Sequence, residues 1–113
     1  MIYLATPYSD PDPRVRLARF ETACRVAARL INQGHRVFSP IAHGHPIALA
    51  GAMSPRFDFW RELDIEMLSL CAELWVVLMP GFMTSHGVQA EIRHAVAREI
   101  PFKYVELEDG ELA

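Results

Sequence analysis

Short apolar runs alternate along the chain with longer segments in which apolar residues recur at every third or fourth position. The short runs are typical of strands covered on both faces, and the periodic segments are typical of amphipathic helices. The predicted strands are residues 2–5, 36–39, 74–79 and 102–105. Because strands and helices alternate, we expect a parallel sheet with right-handed crossovers and helices on both faces.

Capping residues delimit three predicted helices. Asp12, followed by proline, begins the first helix, and Gly34 ends it. Ser54, again followed by proline, begins the second helix, and Ser85 caps the third, which stops before Pro101. The predicted apolar stripes are, in turn, Leu17, Phe20, Cys24, Ala27 and Ile31; Trp60, Leu63, Met67, Leu70 and Cys71; and Val88, Ile92, Ala95 and Val96.

Two segments carry no periodic pattern. Residues 41–53 contain His43, Gly44, Pro46 and Gly51, so we predict a long irregular loop there, and a loop of that length in a small domain is usually functional. Residues 106–113 are acidic and are predicted to fray.

The order of these elements predicts an α/β fold with three layers, α/β/α. We expect a flavodoxin-like parallel sheet of four to five strands in the order 2-1-3-4. The 113 residues are enough for one compact domain, residues 1–113, and too few for two ordinary ones.

Charge and composition exclude several function classes. The net charge of −3 gives no electrostatic case for a nucleic-acid partner, and five arginines between residues 14 and 29 are predicted to be a solvated helix face. No apolar run reaches the roughly 20 residues of a membrane-spanning helix, and the first residues read as a strand rather than a targeting segment. Cys24 and Cys71 are predicted to be small buried hydrophobes in a reducing compartment. We therefore expect a cytoplasmic protein with no membrane partner.

The predicted topology places the candidate binding site at the carboxyl edge of the sheet, where α/β proteins bind ligands. The loops after the first and third strands place five small or polar residues at one rim: Thr6, Tyr8, Ser9, Ser85 and Gly87. The helix that begins after Ser85 could offer free backbone N–H groups to an anion, or Ser85 could be an ordinary cap.

Two carboxylates and a tyrosine are the candidates for chemistry behind this rim. Glu91 is either a functional acid or an exposed helical residue favoured by the helix dipole. Asp64 interrupts an apolar stripe, and because a buried carboxylate is costly unless paired, a structural ion pair or cap explains it as well as catalysis does. Tyr3 is either plain core or a hydrogen-bond donor to a carboxylate.

His43 and His45 alternate within the predicted loop. They could contact a substrate, serve a structural role, or chelate a metal ion with help from His86. No third ligand at a known spacing supports the last interpretation, so we predict no metal ion. No Walker or dinucleotide glycine pattern is present, and we predict no organic cofactor either.

Three elements occur in order along the chain: Ile2-Tyr3-Leu4-Ala5, then Asp64-Ile65-Glu66-x-Leu68, then Ser85-x-Gly87-x-x-x-Glu91 followed by Ala95. Together they resemble the nucleoside 2-deoxyribosyltransferase superfamily, which includes the 2'-deoxynucleoside 5'-monophosphate N-glycosidases. The resemblance covers residues 1 to about 105.

The resemblance implies a role for each matching residue. Glu91 would be the nucleophile that attacks the anomeric carbon, Asp64 would handle the proton of the leaving base, and Tyr3 would orient Glu91. Ser85 would contact the 5'-phosphate, as its counterpart does in the nucleotide-hydrolysing members. The resemblance also implies a homo-oligomer, because the superfamily builds its sites at subunit interfaces.

The expected function is cleavage of the N-glycosidic bond of a nucleoside or nucleotide, through a glycosyl ester of Glu91. Hydrolysis is the better expectation than transfer, because the chain has no match for the polar residue that a neighbouring subunit supplies in the transferases. Two alternatives stay open. One is a non-catalytic module that binds a nucleotide or nucleotide-derived signal in the same crevice, and the other is a metal-dependent hydrolase that uses His43, His45 and Asp64.

Overall fold

The computed structural model describes residues 1–112, in which helices cover both faces of a four-stranded, all-parallel sheet. The elements are β1 (Ile2–Ala5), α1 (Pro13–Asn32), β2 (Val37–Phe38), α2 (Pro40–Ala50), α3 (Phe57–Leu70), β3 (Glu73–Leu78), α4 (His86–Ala97) and β4 (Phe102–Glu106). The strand order is β2-β1-β3-β4, which confirms the predicted flavodoxin-like α/β fold. None of the helices within residues 1–112 is long and apolar enough to span a membrane.

The central strand β1 divides the core into two layers, because successive side chains of a strand point to opposite faces. Ile2 and Leu4 pack with Val26 and Leu30 of α1, on one face of the sheet. On the other face, Tyr3 and Ala5 pack with buried residues of α3 and α4: Leu68, Val88 and Ala95. Tyr3 is therefore directed at the α3–α4 layer by its place in the strand.

The first helix begins and ends as predicted but buries a different stripe. The Asp12 side chain accepts a hydrogen bond from the Arg14 amide, and Gly34, just beyond the helix, has a φ of +97°. The buried residues are Thr22, Ala23, Val26, Ala27 and Leu30. The predicted stripe was wrong for Leu17 and Ile31, which are 46% and 53% exposed, because the small residues at 23 and 27 bring the helix onto the sheet along a neighbouring face.

The predicted loop at residues 41–53 is wrong, because residues 40–50 form α2. Ser39 caps this helix by accepting a hydrogen bond from the Ala42 amide at 3.1 Å, and Pro40 occupies its first turn, where a missing N–H costs nothing. Pro46 lies inside the helix and removes one internal hydrogen bond. Tertiary packing stabilises the helix nonetheless, since Gly44, His45 and Ala48 are buried.

The next helix begins later than predicted. Helix α3 starts at Phe57 rather than at Ser54, and its N-cap Arg56 makes no side-chain capping bond. Instead, the Ser54 hydroxyl accepts a hydrogen bond from the Arg56 amide, and the Trp60 indole donates to the Ser54 carbonyl oxygen at 2.8 Å. Ser54 therefore fixes the turn that precedes the helix.

Residues 106–112 do not fray as predicted, because Arg29 of α1 holds them; Ala113, the last residue of the predicted segment, lies outside the described residues. The guanidinium donates from Nε to Glu111 at 2.7 Å, lies 3.1 Å from Glu108, and donates to the Glu106 carbonyl oxygen at 3.0 Å. Glu111 is buried, and its carboxylate also accepts a hydrogen bond from the Glu108 amide. The predicted solvated arginine face is thus wrong at Arg29, since this side chain is 17% exposed.

We expect Glu111→Ala to lower the free energy of unfolding by about 1–2 kcal/mol, because it removes two charge-assisted hydrogen bonds of Arg29. Urea denaturation followed by tryptophan fluorescence measures this. Glu108→Ala is the matched control, since Glu108 is exposed and its ion pair is expected to contribute less than about 1 kcal/mol. Equal losses in the two variants would contradict a specific role for the buried partner.

Candidate functional site

A pocket that is partly open to solvent lies at the carboxyl edge of the sheet. Its walls come from the segments that follow β1, β2 and β3, and from α3. The lining residues are Thr6, Tyr8, Ser9, Pro40, Ile41, Gly44, His45, Ala48, Pro55, Phe57, Trp60, Asp64, Ser85, Gly87 and Glu91. The pocket therefore occupies the crevice that the strand order predicts.

Glu91 lines this pocket and is hydrogen-bonded to the central strand of the sheet. It shares the buried face of α4 with Val88 and Ala95, and it is only 4% exposed. The hydroxyl of Tyr3, which β1 directs toward α4, donates a hydrogen bond to Glu91 Oε2. Glu91 is thus not the exposed helical residue of the alternative interpretation.

Burial governs the protonation of this pair. The pKa of Glu91 is raised to about 8. Burial raises it most, the hydrogen bond from Tyr3 lowers it, and the charge of nearby Asp64 raises it further. Burial, and then the charge of Glu91, raise the pKa of Tyr3 well above its ordinary value. Tyr3 therefore stays protonated and acts as a donor.

Asp64 lines the same pocket as Glu91. Helix α3 buries its side chain to 6% exposure, with Leu68 one turn further along the same face. No residue within 1–112 forms a hydrogen bond or ion pair with its carboxylate, so the structural cap and ion-pair interpretations find no partner. Burial raises the pKa of Asp64 to about 6.

Thr6 provides a further polar group without a protein partner. Its Oγ1 is the one buried side-chain nitrogen or oxygen in residues 1–112 that makes no hydrogen bond. Buried polar atoms are rarely left in this state unless water or a ligand completes them. Thr6 lines the pocket, although this oxygen itself is fully buried.

His45 is in the pocket, whereas His43 is not. His45 is buried in α2, where its Nδ1 shares a 2.6 Å hydrogen bond with the Tyr8 hydroxyl and its ring stacks on Phe20. Burial, aided by the charge of Arg16, lowers the pKa of His45. His43 is exposed, with its ring beside Phe38.

This arrangement does not support the alternative of a metal-dependent hydrolase. It needs His43, His45 and Asp64 to converge, but His43 is on the outside of α2. Within residues 1–112, no three His, Cys, Asp or Glu side chains are grouped so that they could hold a metal ion.

The rim residues have mainly local partners. The Ser85 hydroxyl accepts a hydrogen bond from the Val88 amide at 3.2 Å, which is the predicted N-cap of α4. A side chain at Gly87 would start 3.1 Å from the Phe57 ring, so glycine permits α3 and α4 to approach closely here. Ser9 is exposed and donates to the Pro55 carbonyl oxygen at 3.3 Å.

The aromatic and apolar wall of the pocket was not among the predicted site residues. Phe57, Trp60, Ile41 and Ala48 line it together with two prolines. Trp60 was assigned to the apolar stripe of its helix; that stripe is wrong for Leu63 and Leu70, which are exposed, and it gives no sign of a pocket. Ile41 and Ala48 fall in the segment predicted as a loop, and the abundance of apolar residues there is a signal that could have found this part of the wall.

The comparison with known families matches almost all of the chain. A family model described as a domain of unknown function (DUF1937) matches residues 1–106. The chain belongs to the DUF1937 family. No curated protein matches the chain. The DUF1937 match extends from β1 to the end of β4, so it includes every residue of the pocket.

We expect Glu91→Gln to change the pH dependence of stability. The folded-state pKa of Glu91 is raised to about 8, so folding is most favoured below pH 4.5, where both states are protonated, and this contribution is lost as the pH rises to about 8. Between pH 6 and 8 the wild type should lose up to about 1.4 kcal/mol per pH unit relative to Glu91→Gln.

Urea denaturation at several pH values measures this difference. Glu66→Gln, at an exposed position of α3, controls for the loss of one negative charge. Parallel curves for the wild type and Glu91→Gln would contradict the raised pKa.

Proposed function

We propose that this protein cleaves the N-glycosidic bond of a nucleoside or nucleotide, with Glu91 as the nucleophile. The observation that carries the proposal is the hydrogen bond from Tyr3 to Glu91 in a pocket that also holds the unpartnered carboxylate of Asp64. These are the three residues for which the resemblance to the deoxyribosyltransferase superfamily implies catalytic roles. A small molecule is the expected partner, and the reaction needs no metal ion or organic cofactor.

In the first step, a Glu91 carboxylate oxygen attacks the anomeric carbon of the sugar. The bond from that carbon to the base nitrogen breaks, and its electron pair goes to the base. Protonated Asp64 supplies a proton to the leaving base, and its raised pKa suits this role. The product is a glycosyl ester of Glu91.

In the second step, water attacks the same carbon and the ester bond breaks, which restores the Glu91 carboxylate. Asp64, now ionised, accepts the proton that the water loses. Tyr3 donates to Glu91 throughout and holds the carboxylate oxygen in line with the sugar. The apolar wall around Trp60 offers a surface for the flat base.

One observation favours the alternative of a binding module. With a pKa of about 8, Glu91 is largely protonated at neutral pH in the free protein, and a protonated carboxyl is a hydrogen-bond donor rather than a nucleophile. The two functions are separated by turnover, which only the enzyme shows.

The proposal includes two further expectations, a homo-oligomer and a cytoplasmic location. The edge strand β4 leaves Phe102 and Tyr104 exposed side by side, which supports association through this surface. Sedimentation of the purified protein measures the oligomeric state.

Chromatographic detection of free base tests the proposed function. A panel of ribo- and deoxyribonucleosides and their 5'-monophosphates is incubated with wild type and with Glu91→Gln, with and without a second base as acceptor. We expect wild type alone to release base. New nucleoside in the presence of the acceptor would identify a transferase. Absence of release from every substrate would refute the enzyme and leave the binding module.

The pH profile and a Tyr3→Phe variant test the catalytic roles. The active form has Glu91 ionised and Asp64 protonated, which is a minority species because the pKa of Glu91 is about 8 and that of Asp64 about 6. The kcat/KM profile is then bell-shaped with limbs near these values, and Glu91 sets the alkaline limb. Tyr3→Phe removes a bond that lowers the pKa of Glu91, so the alkaline limb should move to higher pH and kcat should fall about 10- to 100-fold.

Tyr104→Phe is the matched control, since Tyr104 is half exposed on β4 and is not a pocket residue. An unchanged alkaline limb in Tyr3→Phe would argue against the positioning role of Tyr3.

A further inference from the structure

Three polar side chains at one wall of the pocket come from three separate segments of the fold. Arg16 belongs to α1, Tyr8 follows β1, and His45 is on α2. Tyr8 and His45 line the pocket, whereas Arg16 does not. The Tyr8 hydroxyl contacts both of the others, since it lies 2.6 Å from His45 Nδ1 and is hydrogen-bonded to the Arg16 guanidinium. These side chains form the Arg16–Tyr8–His45 network.

The backbone of the loop after β1 holds Arg16 in place. Its Nη1 donates to the Asp10 carbonyl oxygen at 2.5 Å and to the Pro11 carbonyl oxygen at 3.3 Å. Because a guanidinium has donors only, the Tyr8 oxygen is the acceptor in its bond with Arg16. A hydroxyl that accepts a hydrogen bond from a cation becomes a stronger donor for its own proton.

That proton meets His45 Nδ1. Burial raises the pKa of Tyr8 against the lowering effects of Arg16, so the phenol stays protonated at neutral pH. Burial, and then the charge of Arg16, lower the pKa of His45, so the imidazole is neutral and one of its nitrogens can accept. With Tyr8 donating to Nδ1, the imidazole proton is on Nε2.

The Nε2 edge of the His45 ring is open. Phe20, one turn beyond Arg16 on α1, covers a face of the ring, with the ring centroids 4.2 Å apart. Nε2 makes no hydrogen bond with any residue that the structure describes. It keeps accessible surface nonetheless, because Thr6 Oγ1 is the one fully buried polar side-chain atom in residues 1–112 without a partner. Since His45 lines the pocket, this N–H is the part of the ring that can meet a ligand.

We propose that the Arg16–Tyr8–His45 network presents one fixed donor, the Nε2–H of a neutral imidazole, to an acceptor atom of the nucleoside or nucleotide in the pocket. Arg16 and Tyr8 are then positioning residues. His45 determines specificity, because a ligand group that can only donate is left unpaired at this position. The inference rests on the proposed function for the class of ligand alone, since the enzyme and the binding module both hold that ligand here.

Ring-nitrogen NMR of isotope-labelled protein tests the network without any ligand. Long-range proton–nitrogen correlations distinguish the two neutral tautomers from each other and from imidazolium. The spectrum of His45→Gln identifies the His45 signals among those of the five histidines. We expect the neutral Nε2–H form at neutral pH. An Nδ1–H tautomer, or an imidazolium, at that pH would overturn the inference.

Arg16→Met tests the positioning roles by the same spectra. We expect His45 to titrate at higher pH than in wild type, because the nearby cation is gone and the Tyr8 oxygen is free to accept from a protonated ring. Arg19→Met is the matched control, since Arg19 donates to the Tyr8 and Ser9 carbonyl oxygens instead.

The shift caused by Arg16→Met should be smaller in a Tyr8→Phe background, because part of it passes through the hydroxyl. No shift in Arg16→Met, or an equal shift in the two backgrounds, would refute the network.

Two replacements of His45 test the donor itself. The amide N–H of His45→Gln reaches about as far as Nε2, whereas His45→Met has a similar length and no donor. Both variants lose the stacking on Phe20, so the comparison isolates the hydrogen bond. Calorimetric titration uses pseudouridine, formycin A and their 5'-monophosphates, in which a carbon–carbon bond replaces the N-glycosidic bond and prevents turnover.

We expect His45→Met to bind about tenfold more weakly than wild type, and His45→Gln to recover most of that loss. Equal affinities of the two variants, or no binding of any of the four ligands by wild type, would overturn the inference.

The base-release panel separates this inference from the proposed function. Base release by wild type and by His45→Met with the same KM would leave the enzyme in place and remove the donor. A difference in affinity between His45→Gln and His45→Met, without release of base from any substrate, would remove the enzyme and leave the donor in place.

Discussion

The hydrogen bond from Tyr3 to Glu91 is the interaction on which the rest of the site depends. It joins the central strand of the sheet to α4, and both side chains are buried. Because β1 has a hydrogen-bonded strand on each side, Tyr3 cannot move without disturbing two ladders. Glu91 is therefore held by the central strand of the sheet, and its orientation does not depend on a loop.

The strand pattern of the sequence was a reliable guide because it reflects how the sheet is buried. Runs such as Leu74 to Val77 are apolar throughout since helices cover both faces, and the alternation of elements limits the topology to a few choices. The failure at α2 has a physical cause. Gly44 and Pro46 are normally helix breakers, and only the packing of the folded protein, together with the Ser39 cap, outweighs them.

The candidate site was predictable where it follows from topology. Strands in parallel register bring Thr6, Ser85 and Glu91 to one edge, and a carboxylate in an apolar stripe marked Asp64. The separation of His43 from His45 could not be foreseen, since an irregular loop has no periodicity from which the directions of its side chains could be predicted. In the helix that forms instead, residues two apart point in different directions, so His45 enters the pocket and His43 faces outward.

The contact of the C-terminal segment with Arg29 has a consequence for the exposed edge of the sheet. An edge strand offers unpaired backbone groups to other chains, and β4 also presents aromatic side chains there. Because the segment beyond β4 is fastened to α1, this strand is anchored at its far end as well as along β3. Separation of β4 from the sheet by local opening therefore requires the ion-pair cluster on α1 to open as well.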